Sequence, residues 1–388
     1  MVSFEGLSLS SWQDDDFVCK NRPLIQGKFR PVAPFLSVVA VCRNGFIAFR
    51  QDFPVSRFPS VKISNDRGFP VQFRLAFWMV LLLNQTVHAW SAGGHHLITV
   101  MAYGLLTAEE QGELQRILLD HPRFSEDFSH PKHVIGQGEI DLWRIGRAGH
   151  WPDIARSQTL FHRPNWHWQQ GSSLTIGHVE VPLAPGSASD GATLNSKPLH
   201  IAQAIELCRG VLKDKSRQNS DRALAVGWLA HLIADAHQPC HAGSLYVEGL
   251  FPEGDRGGNS IPTRQSKNLH ALWDSLLGPK FDARDIQRRA QEIQLGPNWK
   301  QARDDTTADV DLLPIPWLVE SSAYARSHVY SEEVLAAVEA AVRGSQKIET
   351  VDLSKEYLRA AGSLAKTRAA FAAHRLAGVL HQSLESNR

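Results

Sequence analysis

The chain has 388 residues, enough for one large or two ordinary domains. Lysine plus arginine, 41, balance aspartate plus glutamate, 40, so no global basic field exists to gather nucleic acid. Any polyanion must be held locally, and the 18 histidines and 11 tryptophans are the residues that exceed ordinary usage.

Residues 1–70 show scattered Pro, Arg, Phe and Ser with no sustained helical or strand period. Arg74, an apolar run over 75–83 and Val87-His88-Ala89 before Trp90 then read as the basic flank, core and A-x-A-like end of a secretory signal. The run is too short to span a bilayer as a stable helix. A signal belongs at the start of a chain, so translation is expected to begin near Val71 from a non-ATG codon, with 1–70 a non-native or disordered leader. The rival is a genuine 70-residue leader or domain. Cleavage between Ala89 and Trp90 predicts a secreted or periplasmic protein whose domain covers 90–388. It retains only Cys208 and Cys240, either as one disulfide or as two buried thiols. Zinc ligation by Cys240 is disfavoured, because neighbours such as Cys240 and His241 rarely share an ion.

Beyond the signal, helices are predicted over 90–106, opening on WSAGGHH, and 109–119, the second capped by Thr107, and over 135–145. Residues 149–168, GHWPDIARSQTLFHRPNWHW, have the composition of a site loop. Residues 174–183 show some strand alternation, 184–197 form a polar loop, and 199–215 are helical. Asp221 is expected to cap the next helix, which carries the stretch WLAHLIADAHQPCH at 228–241. There His231 and Asp235 stand at i and i+4, stacked on one face. One helix can offer an imidazole and a carboxylate to one metal ion in that way. Pro239 stops the helix, and His241 lies just past the break.

A loop is expected over 242–265, with GDRGGNSI at 254–261. In NLHALWD, 268–274, the i, i+4 pair returns as His270 and Asp274. Two such pairs inside apolar helices are costly as plain packing. Helices are predicted over 268–277, 283–294, 313–329, 332–342 and 354–384. Strands are nearly absent, and the expected fold is a single all-α multi-helix domain.

Asp153, His167, His231, Asp235, His241, His270, Asp274 and His95 are candidate metal ligands, too many for one ion and suited to two or three. Such clusters polarise phosphoryl oxygens and make water nucleophilic near neutral pH. They also supply the local positive charge that the whole chain lacks.

Together WSAGGH, WPDIAR, WHW, HLIADAHQPCH, GDRGGN and NLHALWD, in this order and spacing, resemble the zinc-dependent single-strand-specific nucleases of fungi and plants, the S-one and P-one type. The resemblance covers 90 to about 384 and implies an all-α fold shared with bacterial zinc phospholipases C. It implies three Zn2+ ions: one on Asp153, His167, His231 and Asp235, a second on His241, His270 and Asp274, and a third on Trp90, His95 and the other oxygen of Asp235. Trp90 would serve through its free α-amine and carbonyl oxygen. An amide nitrogen has no lone pair to give, so this requires cleavage after Ala89.

The implied activity is endonucleolytic hydrolysis of single-stranded RNA and DNA to 5′-phosphate products, with 3′-nucleotidase activity. A phospholipase C and a non-catalytic zinc-binding relative are the alternatives. Arg156 is implied to neutralise the transferring phosphate beside Asp153, and Asn259 to line the site. Trp151, Trp166 and Trp168 are offered as walls for unstacked bases, although packing is the default for any one of them. His237 is expected to support or pack, while His96, His150 and His162 receive no role. The acids that follow the ligand equivalent to His167 in the family are missing from WQQGSS, and Glu180 is the nearest substitute. No stable membrane association is expected.

Overall fold

The structure, a computed structural model, describes residues 90–344 and 347–385. The proposed leader and signal, 1–89, lie outside the described residues. The described residues all fall within one compact unit.

Helix α1 spans Ala92–Tyr103, α2 Ala108–Leu119, α3 the single turn Phe124–Asp127 and α4 Gln137–Ile154. Strand β1, Gly171–Ile176, precedes α5 (Ile201–Lys213), α6 (Asn219–Ala236) and the one-turn α7 (Pro239–Ala242). Strand β2, Gly243–Val247, leads to α8 (Leu269–Ser275), α9 (Ala283–Gln294), α10 (Pro297–Asp304), α11 (Pro314–Tyr324), α12 (Glu332–Arg343) and α13 (Lys355–Leu384). The all-α expectation holds, with one small addition: β1 and β2 pair in parallel, Gly171 opposite Gly243 and Ile176 opposite Val247.

Helix α6 is the axis. From Ala225 to Ala236 every residue is buried, as expected of a helix that is apolar all round. It packs against α5, α4, α2 and α13, and α13 also covers α1. A second apolar cluster lies under the glycine-rich loop, where Leu245, Ile261, Trp273, Tyr330, Val334 and Tyr357 meet.

Several boundaries differ from those expected, each for a physical reason. The helix expected over 135–145 continues to Ile154, because the loop-like composition conceals an apolar face of Ile145, Ala148 and Trp151 turned into the core. Pro152 falls in its last turn, where it withholds the N–H that would bond the carbonyl of Ala148, so the helix ends soon after. Asp221 does not cap α6: Gln218 takes the N-cap position, and Asp221 sits in the first turn, where it still favours the helix dipole. Pro239 ends nothing by itself, since α6 already closes at Ala236; it opens α7 as its first residue. The strand begins at Gly171, before the expected alternation, and stops at Gly177 with φ 79°. Thr107 caps α2 as expected, in a reciprocal pair with Glu110.

Candidate metal centre

Four buried segments converge on one place. Helix α6 brings His231 and Asp235, α8 brings His270 and Asp274, α7 brings His241, and α1 brings His95. All six are buried. Asp153 arrives from the last turn of α4, and His167 from the 3-10 turn Pro164–His167.

The distances join them into three groups. His95 Nε2 lies 3.3 Å from Asp235 Oδ1, with its ring stacked on His231 at 3.9 Å between centroids. The other oxygen of Asp235 is 3.2 Å from both His231 Nε2 and His167 Nδ1, while His231 Nε2 and His167 Nδ1 stand 2.9 Å apart. Asp153 Oδ1 is 3.8 Å from His231 Nε2. In the third group His270 Nε2 is 3.2 Å from His241 Nε2 and 3.6 Å from Asp274 Oδ2. Within each of the sets His95–His231–Asp235, Asp153–His167–His231 and His241–His270–Asp274, the donor atoms lie within 4.8 Å of one another. Asp235 thus points one oxygen at each of two sets, and His231 belongs to both.

Backbone carbonyls decide which nitrogen of each ring faces inward. The Nδ1–H of His231 donates to Gly149 O at 2.9 Å, that of His270 to Gly257 O at 2.8 Å, and that of His241 to His167 O. Each leaves a bare Nε2 turned to the cluster, which is how ligating imidazoles are held. Two glycines make this possible. A Cβ on Gly149 would come within 2.0 Å of Thr99 Oγ1 on the facing helix, and one on Gly257 within 2.0 Å of Cys240 O. Gly257 also holds φ 61°, a conformation that costs side-chain-bearing residues.

Burial lowers the pKa of His95, His167 and His241 well below the ordinary value, so their lone pairs stay free. Against the burial that would lower it, the Asp235 and Asp153 carboxylates hold His231 above its ordinary value. Burial pushes Asp235 up to about 6 and Asp274 well above the usual carboxylate range. His95 Nδ1 and Nε2, His167 Nε2 and Asp235 Oδ1 are buried and accept no hydrogen bond, which is costly for plain packing. Imidazole nitrogens and carboxylate oxygens at these spacings fit zinc, which takes such donors at about 2.0–2.2 Å and so sets them roughly 3.3 Å apart.

The remaining expected residues divide. Arg156 closes on Asp153 at 2.6 Å, at the edge of the second set. Asn259 is half-buried, but its amide is engaged within the turn: Nδ2 donates to Arg256 O at 2.9 Å and Oδ1 accepts from Asn268 at 3.3 Å. Trp90 is buried, its Nε1 donating to Ala234 O at 2.9 Å, and the next amide, Ser91 N, donates to Asp274 O at 2.8 Å. Residue 90 is therefore pinned between α6 and α8. Trp151 and Trp166 are core, bonded to Asp127 and Ser196 O. Trp168 alone of the three remains half-exposed. His237 turns away, donating from Nδ1 to Ile233 O and meeting Arg375 through Nε2 at 2.9 Å. Glu180 is exposed, on a shallow depression with His178 and Glu248. Cys208 and Cys240 are both free and buried, so the disulfide alternative falls.

Two contributors escape a reading of the sequence. Gln238 donates to Asp274 Oδ1 at 2.7 Å and accepts from Cys240 N at 2.6 Å, orienting one ligand and the turn that carries another. Asp255, fully buried, accepts from Leu245 N and Gly258 N at 2.9 Å each and from the Tyr330 hydroxyl at 2.8 Å. It shapes the loop whose Gly257 carbonyl fixes His270. Beside His241 lies a cavity of about 620 Å³, bordered by Trp168, Gln169, Gln170, Ala242, Leu183 and Ile315 among others.

A family model described as S1/P1 Nuclease matches residues 90–385. Endonuclease 4 of Arabidopsis thaliana is 41% identical over 217 residues, 52% of this chain and 60% of that protein. Endonuclease 5 of the same plant is 24% identical over 53% of this chain and 62% of its own length. The chain thus spans about three fifths of these two relatives. Endonuclease 1, at 24% identity, aligns with 78% of this chain and 90% of its own length.

Proposed function

The chain belongs to the S1/P1 nuclease family, and from that premise we propose that it is a zinc-dependent phosphodiesterase cleaving single-stranded RNA or DNA. It would leave 5′ phosphates and act also as a 3′-nucleotidase. The observation that carries the reading is the convergence of three linked His/Asp sets with Arg156 at their edge. A metal store has no need of a guanidinium placed to meet a phosphate.

Three Zn2+ ions are proposed. Asp153, His167, His231 and Asp235 would hold one, and His241, His270 and Asp274 the second. His95 and Asp235 would hold the third with Trp90, once its amine is freed by cleavage after Ala89 and the protein exported. Bound there, zinc supplies Lewis acidity toward the phosphoryl oxygens and lowers the pKa of water. The chain's own residues do the rest. Imidazoles whose Nδ1–H groups are fixed by the carbonyls of Gly149, Gly257 and His167 hold donor geometry without rearrangement. Arg156, kept at the edge by Asp153, meets the phosphate charge that grows during transfer. Trp168 offers a half-exposed face in the adjoining cavity, where an unpaired base can stack.

One observation favours a second reading. Leu183, Val319 and Ile315, exposed to 95, 64 and 50%, give that cavity an apolar rim suited to a phospholipid. No helix among the described residues is long and apolar enough to cross a membrane. The test is one preparation of residues 90–388 beginning at Trp90, its zinc counted, assayed on denatured DNA, RNA and phosphatidylcholine. About three zinc ions and cleavage of either nucleic acid are expected. Activity on the lipid alone would overturn the nuclease reading.

A further inference from the structure

We propose that Arg256 holds a phosphate other than the one being cleaved, so that the site selects a strand of several nucleotides over a single nucleotide. The inference rests on the nuclease reading above and assigns it a substrate length. Arg256 is the only described non-glycine residue at positive φ, 62°, and it stands between glycines at 84, 61 and 85°. A glycine would take that conformation without strain, so what the position gains from arginine is the side chain.

The backbone beneath it is held from several sides. Its carbonyl accepts from Asn259 Nδ2 at 2.9 Å, Asp255 is bound in the core, and Gly257 N donates to Ser244 Oγ at 2.9 Å. Gly257 O in turn receives His270 Nδ1–H, so Arg256 is one residue from the frame of a candidate ligand. The residue is exposed and borders the cavity beside His241. Its guanidinium makes no hydrogen bond or ion pair among the described residues, not even with Glu253 of the same lining. Arg156, by contrast, is already paired with Asp153. In a chain of net charge +1, an unpaired cation on a held backbone, at the border of the cavity beside His241, is suited to a second anion. In a nucleic acid strand, that anion is the neighbouring phosphodiester.

The test compares the full zinc-loaded protein with Arg256→Gln and Arg256→Lys. Binding of a fluorescent thymidine decamer with hydrolysis-resistant phosphorothioate linkages is followed by anisotropy between 50 and 200 mM salt. Hydrolysis of an unmodified decamer and of bis(4-nitrophenyl) phosphate is measured in parallel. Arg256→Gln should weaken decamer binding about tenfold or more and flatten the log–log salt slope by about 0.7. Its loss in kcat/KM on the decamer should exceed its loss on the small diester by about tenfold, and Arg256→Lys should recover the slope. Unchanged binding and slope, or equal losses on both substrates, would overturn the proposal. A wild-type protein that binds and cleaves no decamer would instead bring down the nuclease reading itself.

Discussion

Two buried polar clusters lie on either side of the turn at His237 and Gln238, and they obey opposite rules. On the side of α11 and α13, Glu320 accepts from Arg368 at 2.9 Å and from Arg375 at 2.7 Å through each oxygen. Arg368 also donates to Ser321 Oγ and to His237 O, and Arg375 meets His237 Nε2. Although burial works against it, the two arginines hold Glu320 below the ordinary carboxylate range. Both guanidinia there share one carboxylate within the chain. On the other side, five imidazoles and three carboxylates crowd together, with Asp235 and Asp274 driven upward and several nitrogens and one oxygen of Asp235 accepting nothing. The first cluster is finished by folding. The second would be completed by a cation on the reading proposed above, and that contrast separates a brace from a candidate binding site better than burial or composition does.

The largest effect that could break the contrast comes from Asp235. Its two oxygens face His95 and the His167–His231 pair separately, so Asp235→Asn should remove more than one bound zinc and lower activity at least about a thousandfold. Full zinc content with full activity would show that the cluster is not a metal site.

Glu320→Ala should act in the opposite manner. With two buried guanidinia left unpaired, and allowing for the 38% exposure of Glu320, unfolding stability should fall by about 2–3 kcal/mol in a denaturant titration. The zinc count of the folded fraction should not change, and a selective loss of zinc would merge the two clusters into one functional unit. Gln238→Leu sharpens the boundary, because Gln238 belongs to the site side alone. It should weaken the hold on the zinc of His241, His270 and Asp274 about tenfold to a hundredfold in competition with a chelator. An unchanged affinity would mean that Asp274 needs no orienting partner.

How much of this was legible beforehand follows from the range of each interaction. His231–Asp235 and His270–Asp274 announce themselves because i, i+4 spacing on a helix is a local fact, and the structure brings both pairs to one place. Asp153 was legible as a residue type, although its position on α4 was not: Trp151 and Pro152 look like loop until the core they pack into is known. Gln238 and Asp255 carry no periodic signal, and their partners, Asp274 and Tyr330, are 36 and 75 residues away. The parallel pairing of β1 with β2 joins positions about 70 apart for the same reason. Nothing in the sequence of the last helix singles out Arg368 and Arg375, which are buried beside their tertiary partner Glu320. The orientation of each imidazole depends on the backbone carbonyls of Gly149, Gly257 and His167, which no side-chain pattern encodes.

The smallest effect tests whether burial of a histidine without a metal role behaves as the brace side implies. His121 lies between Phe128 and Trp151, with ring centroids at 4.7 and 4.4 Å. Its Nδ1 accepts from Arg123 N at 3.1 Å, so the proton sits on Nε2, and a second proton would set two N–H groups against each other. Burial, reinforced by the Arg123 charge, brings its pKa down to about 3 despite Asp127 nearby. A histidine depressed in this way takes up its proton in the unfolded chain first. Its contribution is therefore complete above pH 6.5, the ordinary value, and is lost as the pH falls from there toward 3. Between pH 6.5 and 5 that loss is roughly 1.5 kcal/mol. His121→Asn keeps an acceptor for Arg123 N but cannot titrate. Its stability at neutral pH should drop through lost ring packing, while its decline between pH 6.5 and 5 should be shallower than that of the wild type by about the same 1.5 kcal/mol. Parallel declines in the two proteins would mean that His121 is already protonated in the fold, and that burial alone does not keep an imidazole neutral here.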